Sequence, residues 1–236
     1  MSICTAKGTI PRMSHFFIIA VDGHAASGKG TLARRLADQF HLYYLDTGAL
    51  YRLVGKRILD EGKNPNDPEA ALSAAIYVRD HLSWTMLDDP DLRSEEVSNA
   101  ASQSCVFPAM RDVLLDTQRL YARHPLRKPG QPIYQGSVLD GRDIGTVVCP
   151  NADIKLFVTA NSETRAKRRF QQLQHQGNTI PYDVILADML ERDARDENRA
   201  TAPLKPAVDA ILLDTTDMDA DTVFEKAVEI IRAKLS

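Results

Sequence analysis

Cysteine is scarce, with three residues in 236, and Cys4, Cys105 and Cys149 form no CxxC pair. An odd, scattered set excludes a disulfide framework and a cysteine zinc site, and it fits a reducing cytoplasm. Charge of one sign is also missing. A formal net charge of −3, with 26% charged residues, offers no basic surface for nucleic acid or anionic membrane. No apolar run approaches the ~18 residues of a membrane span. The run Phe16–Val21 is too short for a secretory core and leads into a charged turn, so the expectation is a soluble chain. Repeats and low-complexity tracts are absent too. Residues 1–13 carry no periodic pattern and read as a disordered tail, with Met13 as an alternative start.

What remains is a chain long enough for one core with insertions. Residues 16–21 form a continuous apolar run ended by turn residues, the pattern of a buried strand. In "GTLARRLADQF", Leu32, Leu36 and Phe40 recur at four-residue spacing beside Ala33 and Ala37, opposite Arg34, Arg35 and Asp38, which predicts an amphipathic helix. "YYLD" (43–46) reads as a strand, and "TGALYRLVGKRILDEG" as a helix capped by Thr47 and ended at Gly62. Residues 62–101 change texture and read as an insertion, with "LSWTML" as a strand; a helix over about 106–122 follows, on Val106, Met110, Val113, Leu114 and Leu120. "SVLD", "IKLFV" and "AILLD" are further apolar runs, and "TVFEKAVEIIRAKL" makes a closing helix. Strands alternating with helices in this way call for a parallel sheet with helices on both faces.

The stretch "VDGHAASGKGT" (21–31) carries chemistry. Gly23-x-x-x-x-Gly28-Lys29 between strand and helix is the phosphate-loop pattern in its meaningful context. Small residues Ala25, Ala26 and Ser27 leave backbone N–H groups free to meet phosphate oxygens at a helix N-terminus. Lys29 would reach the β- and γ-phosphates. The residue after the lysine is Gly30, with Thr31 one place later, a departure that argues against a direct hydroxyl ligand to Mg²⁺ and leaves the ion to be held partly through water. In "RDARDENR", Arg192, Arg195, Asp196 and Arg199 would share one helix face; the same spacing also suits an ordinary Arg192–Asp196 ion pair. "RAKRR" (165–169) is the other basic cluster, and alone it fits a solvated helix face. Asp140 ends an apolar strand; it and Asp143 suit turn capping as well as chemistry.

"GKGT", "LDTGALYR" (45–52), "SNAASQ" (98–103) before Arg111, "LDGRDIGTVV" (139–148) and "RDARDENRATAPLKPA" (192–207) together resemble the nucleoside-monophosphate kinases, and among them the cytidylate kinases of bacteria, over about residues 16–235. The resemblance implies an α/β P-loop core with a five-stranded parallel sheet over 14–61 and 102–236, a lid over about 165–199 and a monophosphate-binding insertion over 62–101. It implies transfer of a phosphoryl group from ATP to CMP, and to dCMP, with Mg²⁺. Gly23, His24, Ala25, Ala26, Ser27, Gly28, Lys29, Gly30 and Thr31, with Arg165 and Arg168 of the lid, would then bind ATP, Thr31 serving the metal. Thr47, Arg52, Ser102, Arg111, Asp140, Arg142, Arg192, Asp196 and Arg199 would bind CMP, and Lys29, Arg142, Arg192 and Arg199 would act in catalysis. The expected partners are these small substrates alone, for a cytoplasmic monomer. A P-loop kinase of another small acceptor is an alternative. A guanine-nucleotide switch is disfavoured, because the chain has no Asn-Lys-x-Asp motif.

Overall fold

The computed structural model describes residues 15–175 and 177–235, so the tail expected over 1–13 lies outside the described residues. Two compact units emerge. The first takes in the described residues up to Leu45, Ile133–Asn198 and those from Pro203 onward; the second comprises Asp46–Pro132 and Arg199–Ala202. Residues 62–101 lie wholly within the second.

In the first unit, five strands among the described residues form one parallel sheet: β1 (Phe17–Gly23), β2 (Tyr43–Asp46), β3 (Gly136–Gly141), β4 (Ile154–Thr159) and β5 (Ile211–Asp214), in the order β2-β3-β1-β4-β5. The central strand β1 is buried along its whole length, which its uninterrupted apolar run demands. Helix α1 (Lys29–Phe40) lays Leu32, Ala33, Leu36, Ala37 and Phe40 into the core, where Ile19, Val21, Leu156, Val158 and, from the closing helix, Val228 and Ile231 meet them. His41 ends α1 in the left-handed conformation at φ 56, a common helix stop. At the edge, β5 buries Leu213 while Leu212 is 63% exposed, so its apolar run belongs to a half-covered edge strand and not to a buried one.

The second unit is helical: α2 (Thr47–Asp60), α3 (Pro68–His81), α4 (Trp84–Leu87), α5 (Glu95–Ser104) and α6 (Pro108–Arg123). Leu50, Val54, Ile58, Ala71, Val78, Met110 and Leu114 make its core. Three expectations need correction here. The strand expected in "LSWTML" is the short helix α4, because the Ser83 hydroxyl accepts from Met86 N–H at 3.4 Å and caps a helical turn. Asp46, not Thr47, caps α2: its Oδ1 accepts from Ala49 N–H at 3.1 Å, and Thr47 is the first helical residue. Pro108 sets the start of α6, leaving Val106 before the helix and exposed, and Leu120 faces outward.

Returning to the first unit, α7 (Ser162–His175) and α8 (Tyr182–Asn198) pack together, and α9 (Ala220–Leu235) closes on α1. Helix α8 stops before Arg199, so the four residues expected on one helical face reduce to Arg192, Arg195 and Asp196. The reason is local: Leu204 N–H donates to the Asp196 carbonyl at 2.8 Å, turning the chain back at the helix end.

Candidate active site

The phosphate loop springs from the C-terminal end of β1, the edge where open α/β sheets place ligands. Gly23 has φ +150, and a Cβ there would stand 2.0 Å from the Val158 carbonyl oxygen, so neither the conformation nor the space admits another residue. Gly28, at φ +90, precedes α1 without any side-chain cap, which leaves the first amides of the helix for an anion. The Ser27 hydroxyl is buried inside the loop and lacks a hydrogen-bond partner, a second sign that the loop fits an external acceptor. These features suit phosphate oxygens. Lys29 is 9% exposed, with Nζ donating to the His24 carbonyl at 3.1 Å, so it lies folded along the loop. Thr31 stands exposed in the first turn of α1.

Gly30 explains the departure from the usual Ser or Thr. A Cβ at that position would stand 2.8 Å from Asp140 Oδ2 and 3.7 Å from the Tyr44 hydroxyl oxygen. The Asp140 carboxylate therefore occupies the space beside the loop, steadied by a 3.3 Å hydrogen bond from Tyr44.

Beyond β3, Arg142 donates from Nε to Asp196 Oδ2 of α8 at 2.9 Å, a pair in which Asp196 is buried and Arg142 partly exposed. Burial pulls the Arg142 pKa down, but the charge and hydrogen bond of Asp196, with Asp140 and Asp193 nearby, outweigh it and raise the pKa above the ordinary arginine value. Arg165 donates from Nη1 to the Ala25 carbonyl at 3.3 Å and pairs with Asp193 of α8 at 2.7 Å. Arg168 donates to Thr215 Oγ1 at 3.0 Å and to the Ser27 carbonyl at 3.5 Å. Thr215 itself donates to the Ser27 carbonyl at 3.2 Å. Both expected ATP arginines thus brace phosphate-loop carbonyls in this structure. His24 adds another tie, its Nε2 lying 2.8 Å from Glu197 Oε1. Arg192 sits half-buried on α8.

The second unit holds the remaining expected residues. Arg52 folds back on Asp46 at 2.7 Å, over Gly48, where a Cβ would crowd its guanidinium at 2.9 Å. Thr47, Ser102 and Arg111 are buried, with Arg111 stacked over the Tyr51 ring at 5.4 Å. Arg199 donates from Nε to the Ala202 carbonyl at 2.5 Å.

Sequence reasoning passed over Asp22, Tyr44, Asp193, Glu197 and Thr215. Asp22 was read as a turn residue after the strand over 16–21 and Tyr44 as a strand residue, and a polar residue closing an apolar strand beside a phosphate loop is the signal that was available. The others act through contacts between residues far apart in the chain, which no local pattern records.

The cytidylate kinase family profile matches residues 19–233. A cytidylate kinase of Paramagnetospirillum magneticum (strain ATCC 700264 / AMB-1) is 52% identical over 217 residues, covering 92% of this chain and 98% of that one. The cytidylate kinase of Methylocella silvestris is 49% identical over 216 residues, covering 92% and 94%. Among solved structures, an uncharacterized protein from Eubacterium ventriosum ATCC 27560 aligns with a TM-score of 0.50 at 15% identity over 92% of this chain and 99% of that one, a likeness of fold alone. With a phosphate loop on a parallel sheet, a family profile spanning nearly every described residue and relatives identical at about half of the aligned positions, the chain belongs to the cytidylate kinase family of nucleoside-monophosphate kinases.

Proposed function

We propose that the chain transfers the γ-phosphoryl group of ATP to CMP and dCMP, giving ADP and the corresponding diphosphate. The observation that carries this reading is the phosphate loop, with its uncapped helix and buried partnerless Ser27 hydroxyl, beside the Asp140 carboxylate. In the reaction a phosphate oxygen of CMP forms a bond to Pγ while the bond from Pγ to the β-phosphate oxygen breaks. The acceptor needs no general base, since a phosphate monoester's second pKa is about 6 and it is already ionised at neutral pH. Catalysis therefore reduces to alignment and charge stabilisation.

The loop amides and Lys29 hold the β- and γ-phosphates. Arg142, Arg192 and Arg199 meet the charge that builds between donor and acceptor, and Arg165 and Arg168 keep the loop in shape and engage ATP. Arg52 and Thr47 take the CMP phosphate, and Asp196 its sugar. Mg²⁺, when bound, offsets phosphate charge, and Thr31 would hold it through water. Asp140 accepts from the N4 amino group of cytosine while Arg111 and Ser102 donate to N3 and O2; uracil reverses that polarity and leaves buried groups unpaired, at about 1–3 kcal/mol each. We place the protein in the cytoplasm as a monomer; among the described residues no helix is long and apolar enough to cross a membrane. Steady-state kinetics with ATP against CMP, dCMP, UMP and AMP test the reading. Expected is a kcat/KM for CMP at least tenfold above that for UMP, about the value of one lost buried hydrogen bond; equal use of all four acceptors would overturn it.

A further inference from the structure

Asp22 lies one residue before the phosphate loop and has no role in the scheme above. It is 4% exposed, and its two oxygens accept from consecutive backbone amides: Ile144 N–H donates to Oδ1 at 2.8 Å and Gly145 N–H to Oδ2 at 2.7 Å. In the sheet register Asp22 pairs with Gly141, so its side chain reaches past the end of β3 and grips the chain just after Arg142 and Asp143. The gripped amides open a wide helical turn, Ile144–Val148, in which Val147 and Val148 N–H donate back to the Asp143 carbonyl at 2.9 and 3.1 Å. Gly145 leaves the grip no slack: a Cβ there would stand 3.3 Å from Asp22 Oδ2 and 3.2 Å from Lys155 Cδ.

We infer that Asp22 is a positioning residue, whose ionised carboxylate locks the Arg142–Asp143 segment in register with the phosphate loop so that Arg142 is presented to the reacting phosphates. This rests on the phosphoryl-transfer reading. Only the ionised form offers an acceptor to both amides; a protonated acid, or an amide, turns a donor toward one of them. Burial raises the Asp22 pKa from 3.8 to about 6, the Gly145 and Ile144 amides pull it down, and Asp143 and Arg142 add smaller opposing effects. Lys155, the cation on β4, spends its Nζ on the Pro150 carbonyl at 2.6 Å and Asp209 at 2.8 Å. A carboxylate that is costly to ionise in this place, yet bound through both oxygens to the backbone beside Arg142, serves alignment better than it serves the fold.

The test is Asp22→Asn in the full chain, assayed with ATP and CMP beside the wild type. Wild-type turnover of CMP checks the underlying reading by itself: an inert wild type sinks that reading whatever Asp22 does. Given an active wild type, the variant should keep its circular dichroism, bind ATP alone with unchanged Kd, and lose about 10- to 100-fold in kcat through misalignment. The wild-type to variant ratio of kcat should shrink as pH falls through about 6, because titration of the CMP phosphate is common to both proteins. Should Asp22→Asn not fold, Gly145→Ala presses a methyl group against the same oxygen and should give the same pattern. A wild-type kcat, an ATP Kd weakened as much as kcat falls, or a ratio constant across pH would overturn the inference.

Discussion

The donor and acceptor phosphates bring several negative charges together at neutral pH, and Lys29 is the cation nearest in sequence to the loop amides proposed to hold them. Its contact with the His24 carbonyl costs little to break, since the amine exchanges one oxygen for a charged one. Lys29→Ala should remove about 10²- to 10³-fold of kcat, the usual worth of one charge-stabilising contact to a transferring group. Its fold should persist, because the core under α1 is built by Leu32, Leu36 and Phe40. Circular dichroism with single-turnover kinetics checks both halves, and a folded variant with full turnover contradicts the role. The same scale explains Gly30. Its missing side chain leaves space for Asp140 Oδ2, so the glycine in "GKGT" is a packing requirement and not a weakened phosphate loop.

Helix α8 ties three side chains of the site: Asp196 holds Arg142, Asp193 holds Arg165 and Glu197 holds His24. Arg192 lies on the same helix, so on the proposed role, in which its partner is charge that grows during transfer, Arg192→Ala should lower kcat while leaving the KM for ATP unchanged. A higher ATP KM with kcat intact would assign Arg192 to the donor nucleotide. How much of this was legible varied with how local the cause was. β1 and α1 follow directly from an apolar run and from four-residue spacing, since each period has one geometry that buries it. α4 and the cap of α2 were misread where a single side-chain oxygen decides: the Ser83 hydroxyl outweighs the strand preference of "LSWTML", and Asp46 displaces Thr47 as cap. Arg199 left the helix through a backbone bond from Leu204, which spacing alone does not encode. The phosphate loop between β1 and α1 was legible because its motif is contiguous, whereas the bracing of Arg168 by Thr215 joins residues 47 positions apart.

For the molecule as a whole, Asp22 sets a pH dependence of stability with a definite sign. Its folded-state pKa is raised, so the stabilisation it gives is complete below its ordinary value of 3.8 and is lost as pH rises through about 6. Exposed carboxylates such as Asp209, held low by its hydrogen bond to Lys155, run the other way and are shared by any Asp22 variant. In urea unfolding, the stability difference between wild type and Asp22→Asn should therefore move toward the variant by up to about 3 kcal/mol between pH 4 and pH 7.5, from a pKa raised from 3.8 to about 6 at 1.36 kcal/mol per pH unit. A difference that stays flat over that range would show that Asp22 does not titrate as its surroundings require.

Phosphoryl transfer to a cytidine monophosphate is the claim on which the roles of both units depend, and it is tested most directly by following the label of γ-labelled ATP incubated with the protein, Mg²⁺ and an equimolar mixture of CMP and UMP. The label should appear in CDP well ahead of UDP, and Lys29→Ala should abolish most of it. Label released only as inorganic phosphate, or carried to UMP as readily as to CMP, would contradict the proposed function.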